Sequence, residues 1–186
     1  MNDRPVIAVF GSSSPQPGSA AYETAREVGR LLAQRGYAVA TGAYGGTMAA
    51  VSQGAAEAGG HVIGATSDVI EAYRGSGPNQ WVQEAVRFSN LRDRLTYLVT
   101  VNDGMITLPG GIGTLSEMAL AWSLLQVSEI APRPLVLLGQ MWQDTVSAFV
   151  QPEYVHERHM RLLRCVLTPV EAVETLHQLR LTGPAG

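Results

Sequence analysis

Three glycines and a carboxylate fall together in Gly110-Gly111-Ile112-Gly113-Thr114-Leu115-Ser116-Glu117, and both residue types have a use around a phosphate ester. Glycine exposes backbone N–H groups and tolerates positive φ, and a helix that starts behind such a loop adds the positive end of its dipole to any anion held there. The apolar run Met105-Ile106-Thr107-Leu108 feeds the loop, and the apolar stretch Met118–Gln126 leaves it. Strand, glycine loop and helix are therefore expected in that order. Glu117, in the first turn of the helix, would stand beside whatever the phosphate carries.

Positioning such a loop takes a buried sheet, and the chain has the means to build one. Its 186 residues are 46% hydrophobic and 16% charged, enough for one domain, residues 1–186, with a core that needs neither disulfides nor metal. The net charge is −3 without a basic run, which argues against binding nucleic acid or an anionic membrane and for a small-molecule partner. All 13 basic residues are arginine, so a pyridoxal Schiff base and a Walker A lysine are both excluded. The single cysteine, Cys165, offers no disulfide or CxxC site and reads as buried filler. No apolar run is long enough to span a membrane, and Met1–Pro5 leads straight into a strand, so a cytoplasmic protein is expected.

In chain order, Val6–Phe10 reads as a buried parallel strand ending at a serine loop, Gly11-Ser12-Ser13-Ser14. Ser19 caps a helix over Ala20–Arg35, and Tyr37–Thr41 is the next strand. A second glycine turn, Gly42–Met48, then precedes a small-residue helix to Ala58; it serves either packing or a ligand at the carboxyl ends of the strands. His61–Ala65 is a third strand and Thr66–Asn79 a connection. The spacing of Phe88, Leu91, Leu95 and Leu98 predicts one long helix from about Gln80 to Val99. Beside that stripe run Gln83, Arg87, Asn90 and Arg94, either a solvated face or the wall of a pocket. Met105–Leu108 and Leu135–Leu138 complete the expected strands, with helices near Trp142–Val150 and from Thr168 to about Arg180. His156 and His159, in the segment Gln151–Arg164, lack metal-ligand spacing and read as solvated, so no metal is expected. The pattern is that of an α/β Rossmann-like, doubly wound, mainly parallel sheet flanked by helices. The helix after Glu117 is apolar around nearly its whole circumference, which predicts a homodimer packed through it.

These residues resemble the Lonely Guy group of Rossmann-like proteins, long described as possible lysine decarboxylases. The likeness covers most of the chain: Val9-Phe10-Gly11-Ser12-Ser13, the Gly42–Met48 turn, Ala58–Gly64 and, most specifically, the PGGxGTxxE signature at Pro109–Glu117. The group also places an arginine fifteen residues before the signature proline, where Arg94 stands. The resemblance implies hydrolysis of a nucleoside 5′-monophosphate, of the cytokinin riboside or AMP type, to free base and ribose 5-phosphate, without a cofactor. It implies Glu117 and Arg94 as catalytic residues. Gly110, Gly111, Gly113 and Thr114 would cradle the phosphate, with Ser12, Gly45, Gly46 and Met48 bordering the nucleotide. Four positions depart from the group's pattern: Leu95 replaces the lysine of an Arg-Lys pair, Ser116 the first acid of a Glu-Glu pair, and Thr47 and Ala49 make Gly46-Thr47-Met48-Ala49 stand for Gly-Leu-Met-Gly. A related branch resembles molybdenum-cofactor carriers, so the alternative is a protein that binds a nucleotide or pterin phosphate without cleaving it.

Overall fold

The computed structural model describes residues 4–183; the expected entry from Met1 and the last three residues lie outside them. In chain order the elements are β1 (Val6–Phe10), α1 (Ala20–Gln34), β2 (Ala38–Thr41), α2 (Thr47–Glu57), β3 (Val62–Ser67), α3 (Asp68–Arg74), β4 (Glu84–Phe88) and α4 (Leu91–Thr100). Then come β5 (Gly104–Thr107), α5 (Ile112–Gln126), β6 (Leu135–Leu138), α6 (Gln140–Phe149), α7 (Glu157–Met160), β7 (Leu163–Val166) and α8 (Pro169–Thr182). The strands form one sheet in the order β4-β3-β2-β1-β5-β6-β7, and every pairing is parallel. Alternation along each strand sends Ile7, Val9, Ile106 and Leu108 to one face, with Val28, Leu32 and Leu176 from α1 and α8. Ala8, Phe10, Met105 and Leu135 go to the other, with Leu98, Met118 and Trp142 from α4, α5 and α6. A strand covered on both faces must be apolar at every position, which is why these runs are continuous. The Rossmann-like, doubly wound α/β architecture follows.

Two expectations need correction. The predicted helix from Gln80 to Val99 is instead the edge strand β4 followed by α4. Asn90 makes the break: its Oδ1 accepts the Asp93 N–H at 2.9 Å and its Nδ2 donates to Asp93 Oδ2 at 2.8 Å, so the helix starts at Leu91. Leu91 is consequently exposed rather than part of a buried stripe, and Gln83 and Arg87 share no helical face with Arg94. The second correction is β7, the opposite edge, which runs through Arg164 and Cys165. Cys165 is only half-buried there. Helix α3 also occupies the start of the Thr66–Asn79 connection.

Candidate functional site

The strand order reverses between β1 and β5, which pair through Phe10 and Thr107 at their carboxyl ends. Beyond that point the chains must part, and the parting opens a crevice where ligands bind in sheets of this type. A cavity of about 350 Å³ lies there, walled by Gly11–Ser14 after β1, Gly111–Thr114 after β5, and side chains from α3, α4 and α5.

The β5 loop leaves its donors open. Helix α5 has Gly111 as its N-cap and no side-chain capping bond, so the first N–H groups of the helix have no intrahelical acceptor. Thr114 is buried against the cavity. Gly110 makes room for it, since a Cβ there would come within 2.6 Å of Thr114 Cβ. Behind the loop, Trp142 Nε1 donates to Leu108 O at 2.9 Å, fixing the strand end. The result is an anion cradle of backbone amides at a helix N-terminus.

The β2 turn has a different construction. Ser12 O accepts both the Thr47 N–H at 2.8 Å and the Thr47 hydroxyl at 3.1 Å, which ties the start of α2 to the loop after β1. Gly46 adopts φ +65° and lies so close to that loop that a Cβ would sit 2.6 Å from Ser13 Cα. Ala43 is also held at φ 70°, with Asn79 clamping the turn by donating to Ala43 O at 2.9 Å and Tyr44 O at 3.1 Å. Strain of this kind persists only where its surroundings fix it. Gly42 has no side chain because the Arg94 guanidinium and Met48 Sδ occupy the space.

Arg94 is accordingly buried, 5% exposed. Its Nε donates to Ala65 O at 2.8 Å and its Nη2 to Gly42 O at 3.0 Å. Nη1 lies 3.9 Å from Glu117 Oε1, close enough for attraction but too far for a hydrogen bond. Glu117 is 7% exposed, and no donor among the described residues reaches its carboxylate. Burial therefore prevails over the nearby charge, and the carboxyl is pushed up to about 7. Burial likewise lowers the Arg94 pKa, an effect that Glu117 partly offsets. The arrangement is a desolvated carboxylate, poised between its two states near neutral pH, held beside an anion cradle. It can accept a proton from water and stabilise a cation developing in front of it.

Of the residues expected in the site, Ser12, Met48, Arg94, Gly111, Gly113, Thr114 and Glu117 line this one cavity. Gly45, Gly46 and Gly110 do not; the last two stand behind the wall and permit its close packing. Sequence reasoning missed Tyr44, whose hydroxyl accepts the Ser67 N–H at 2.8 Å, and Arg74. Gly42 was noted only as part of a glycine turn, because the arginine that excludes its Cβ lies 52 residues further on. A larger groove of about 540 Å³ runs along α5 and α6, lined by Leu115, Trp122, Phe149 and Tyr154. It is lined mainly by apolar side chains and has no carboxylate, whereas the smaller cavity holds Glu117. Among the described residues no cluster of His, Cys, Asp or Glu could hold a metal ion.

The family model described as possible lysine decarboxylase matches residues 48–176. A probable cytokinin riboside 5′-monophosphate phosphoribohydrolase of Oryza sativa subsp. japonica is 29% identical over 155 residues, covering 81% of this chain and 61% of the relative's length. A pyrimidine/purine nucleotide 5′-monophosphate nucleosidase of Escherichia coli (strain K12) is 29% identical over 177 residues, covering 88% of this chain but 38% of that protein. The molybdenum cofactor binding protein of the phototrophic bacterium Rippkaea orientalis shares the fold, with a TM-score of 0.74 at 24% identity over 95% of this chain and 97% of its own.

Proposed function

This chain belongs to the possible lysine decarboxylase family, and from that premise we propose that it hydrolyses the N-glycosidic bond of a nucleoside 5′-monophosphate. A purine nucleotide of the AMP or cytokinin riboside type is the proposed substrate. The α5 amides and Thr114 hold the phosphate, which brings the ribose C1′ toward Glu117. As the bond from C1′ to the base nitrogen breaks, the sugar becomes oxocarbenium-like, and the ionised Glu117 stabilises it while taking a proton from the attacking water. The water oxygen bonds to C1′, and the base leaves with the bonding electron pair and takes up a proton from solvent, while Glu117 returns the proton it received from the water to solvent. Arg94 orients Glu117 and favours its charged form. No step uses a lysine, and the chain has none.

The observation that supports this reading best is the buried carboxylate facing an anion cradle. For a carrier that only binds a phosphate, a desolvated acid at that place is a cost without a use. Incubating the protein with AMP and other 5′-monophosphates should release free base, and Glu117→Gln should not. Tight binding of an intact ligand with no base from any common nucleotide would sink the hydrolase reading in favour of the carrier.

The proposed assembly is a homodimer through α5. Its inner side packs Met118, Ala121, Trp122 and Leu125 into the core, yet Ile112 and Leu115 on its outer side remain exposed, as does Phe149 across the apolar groove. Ala119→Arg, on the groove wall, should convert a dimer to a monomer in analytical ultracentrifugation; a monomeric wild type at micromolar concentration overturns the proposal. No helix among the described residues is long and apolar enough to cross a membrane. The proposed location is the cytoplasm, where a lone free cysteine stays reduced, and the net negative charge disfavours nucleic acid as a partner.

A further inference from the structure

Arg94 is only 5% exposed and is turned toward Glu117 and the carbonyls of Gly42 and Ala65. Two of its nitrogens are committed to backbone carbonyls, the third faces Glu117, and the whole side chain is buried. The amides of α5 and the Thr114 hydroxyl are neutral donors. A phosphate monoester carries close to two negative charges at neutral pH, and Arg94, whose charge already sits beside Glu117, does not balance it alone.

One other guanidinium lines it. Arg74, the last residue of α3, is exposed and belongs to the cavity wall. Its Nη2 donates to Ser13 Oγ at 2.9 Å, and its guanidinium carbon lies 5.4 Å from the centre of the Tyr44 ring. Arg94 lies 5.6 Å from the same ring. Neither Ser13 nor Tyr44 neutralises Arg74, and among the described residues no carboxylate lies within ion-pairing distance of it. Arg87, comparably exposed, is by contrast paired with Asp68 and Glu71. The charge of Arg74 is also near enough to disfavour that of Arg94. Two positive groups thus face one cavity whose only acid among the described residues, Glu117, is held above the usual carboxylate range by burial, an arrangement that an anion between them would relieve.

We propose that Arg74, with Ser13, binds the 5′-phosphate of the substrate together with the Gly111–Thr114 amides, and that Arg94 does not. The inference rests on the phosphoribohydrolase reading for the identity of the ligand, and its test is separable from that reading. Arg74 is on the surface and its contacts are few, so Arg74→Gln should fold with an unchanged Tm.

The decisive measurement is calorimetric titration of ribose 5-phosphate into the wild type and Arg74→Gln. Loss of a charge-assisted bond to phosphate should weaken binding about 10–100-fold. Arg74→Lys should recover part of the loss, because an ammonium keeps the charge without the planar fork. With a nucleoside 5′-monophosphate as substrate, Arg74→Gln should raise KM by a similar factor with little change in kcat. Cleavage of the nucleoside that lacks the phosphate should be equal in both proteins. Equal affinity of the two proteins for ribose 5-phosphate, no binding by the wild type, or an equal loss on nucleoside and nucleotide overturns the assignment. Arg74-dependent binding without any base release would leave it standing and defeat the hydrolase reading instead.

Discussion

The turns after β2 and β5 look alike in sequence, each a glycine cluster between a buried strand and a helix, yet the structure gives them opposite tasks. The turn after β2 is closed. At two of its three glycines other groups occupy the space of a side chain, the Arg94 guanidinium at Gly42 and the Ser13 backbone at Gly46, and the first amide of α2 is already taken by Ser12 O. The turn after β5 is open. Gly111 and Gly113 have nothing within 4 Å of where a Cβ would stand, and α5 has no side-chain cap. One turn holds Arg94 in place from behind, and the other leaves its backbone donors open to the cavity. A count of glycines cannot tell these apart; what separates them is whether the missing side chain leaves a contact or a vacancy.

The largest break in this comparison comes from the acid on the open side. Glu117→Gln keeps the shape of the cavity but removes the group proposed to take the proton, so kcat should fall about 10²–10⁴-fold. Equal rates would end the assignment. The same change should alter stability in the opposite sense. The Glu117 carboxyl ordinarily titrates near 4.5 and is pushed up to about 7 in the fold, so the unfolded chain releases its proton first as pH rises. The wild type therefore has its full stability below 4.5 and loses it progressively toward 7, by about 3 kcal/mol. Glu117→Gln has no such titration. Its Tm advantage should be larger at pH 8 than at pH 4.5, and parallel Tm profiles would show that the acid is not desolvated. Wild-type kcat/KM should climb through the same region near 7, since the ionised form does the work.

Sequence periodicity identified the parts of the fold that are buried on both faces and misread those that are not. β1, β5 and β6 are unbroken apolar runs because helices cover them on both sides. β4 and β7 are edges. In β4, Glu84, Ala85 and Arg87 face solvent, and Phe88 happens to fall in helical step with Leu91 and Leu95, so a strand and a helix read as one helix. The signal that could have divided them was Ser89-Asn90 with Asp93 three residues later, a reciprocal cap. In the site, Glu117 and the open loop were legible because they are contiguous in sequence. Gly42, Tyr44 and Arg74 were not, since each matters through a partner on another element: Arg94, Ser67 and Ser13 respectively.

Adding one methyl group to each turn sharpens the contrast. In Gly42→Ala the backbone is not strained, because Gly42 is not at positive φ, but the new Cβ would overlap Arg94 Nη2 and lie 2.6 Å from Met48 Sδ. Arg94 must move, and overpacking of this kind costs about 1–3 kcal/mol; denaturant unfolding should show that loss together with impaired cleavage. Gly113→Ala is expected to have the smallest effect on stability, and with the opposite sign. Gly113 is the second residue of α5, where alanine is favoured over glycine by at most about 0.5–1 kcal/mol, the value for a helix interior, and there is empty space for its methyl group. That space is the cavity, so the same methyl should raise KM for the nucleotide while the Tm rises. A Gly113→Ala variant that is more stable with an unchanged KM would mean that the β5 turn, like the β2 turn, has only a packing role, and that the phosphate is held elsewhere.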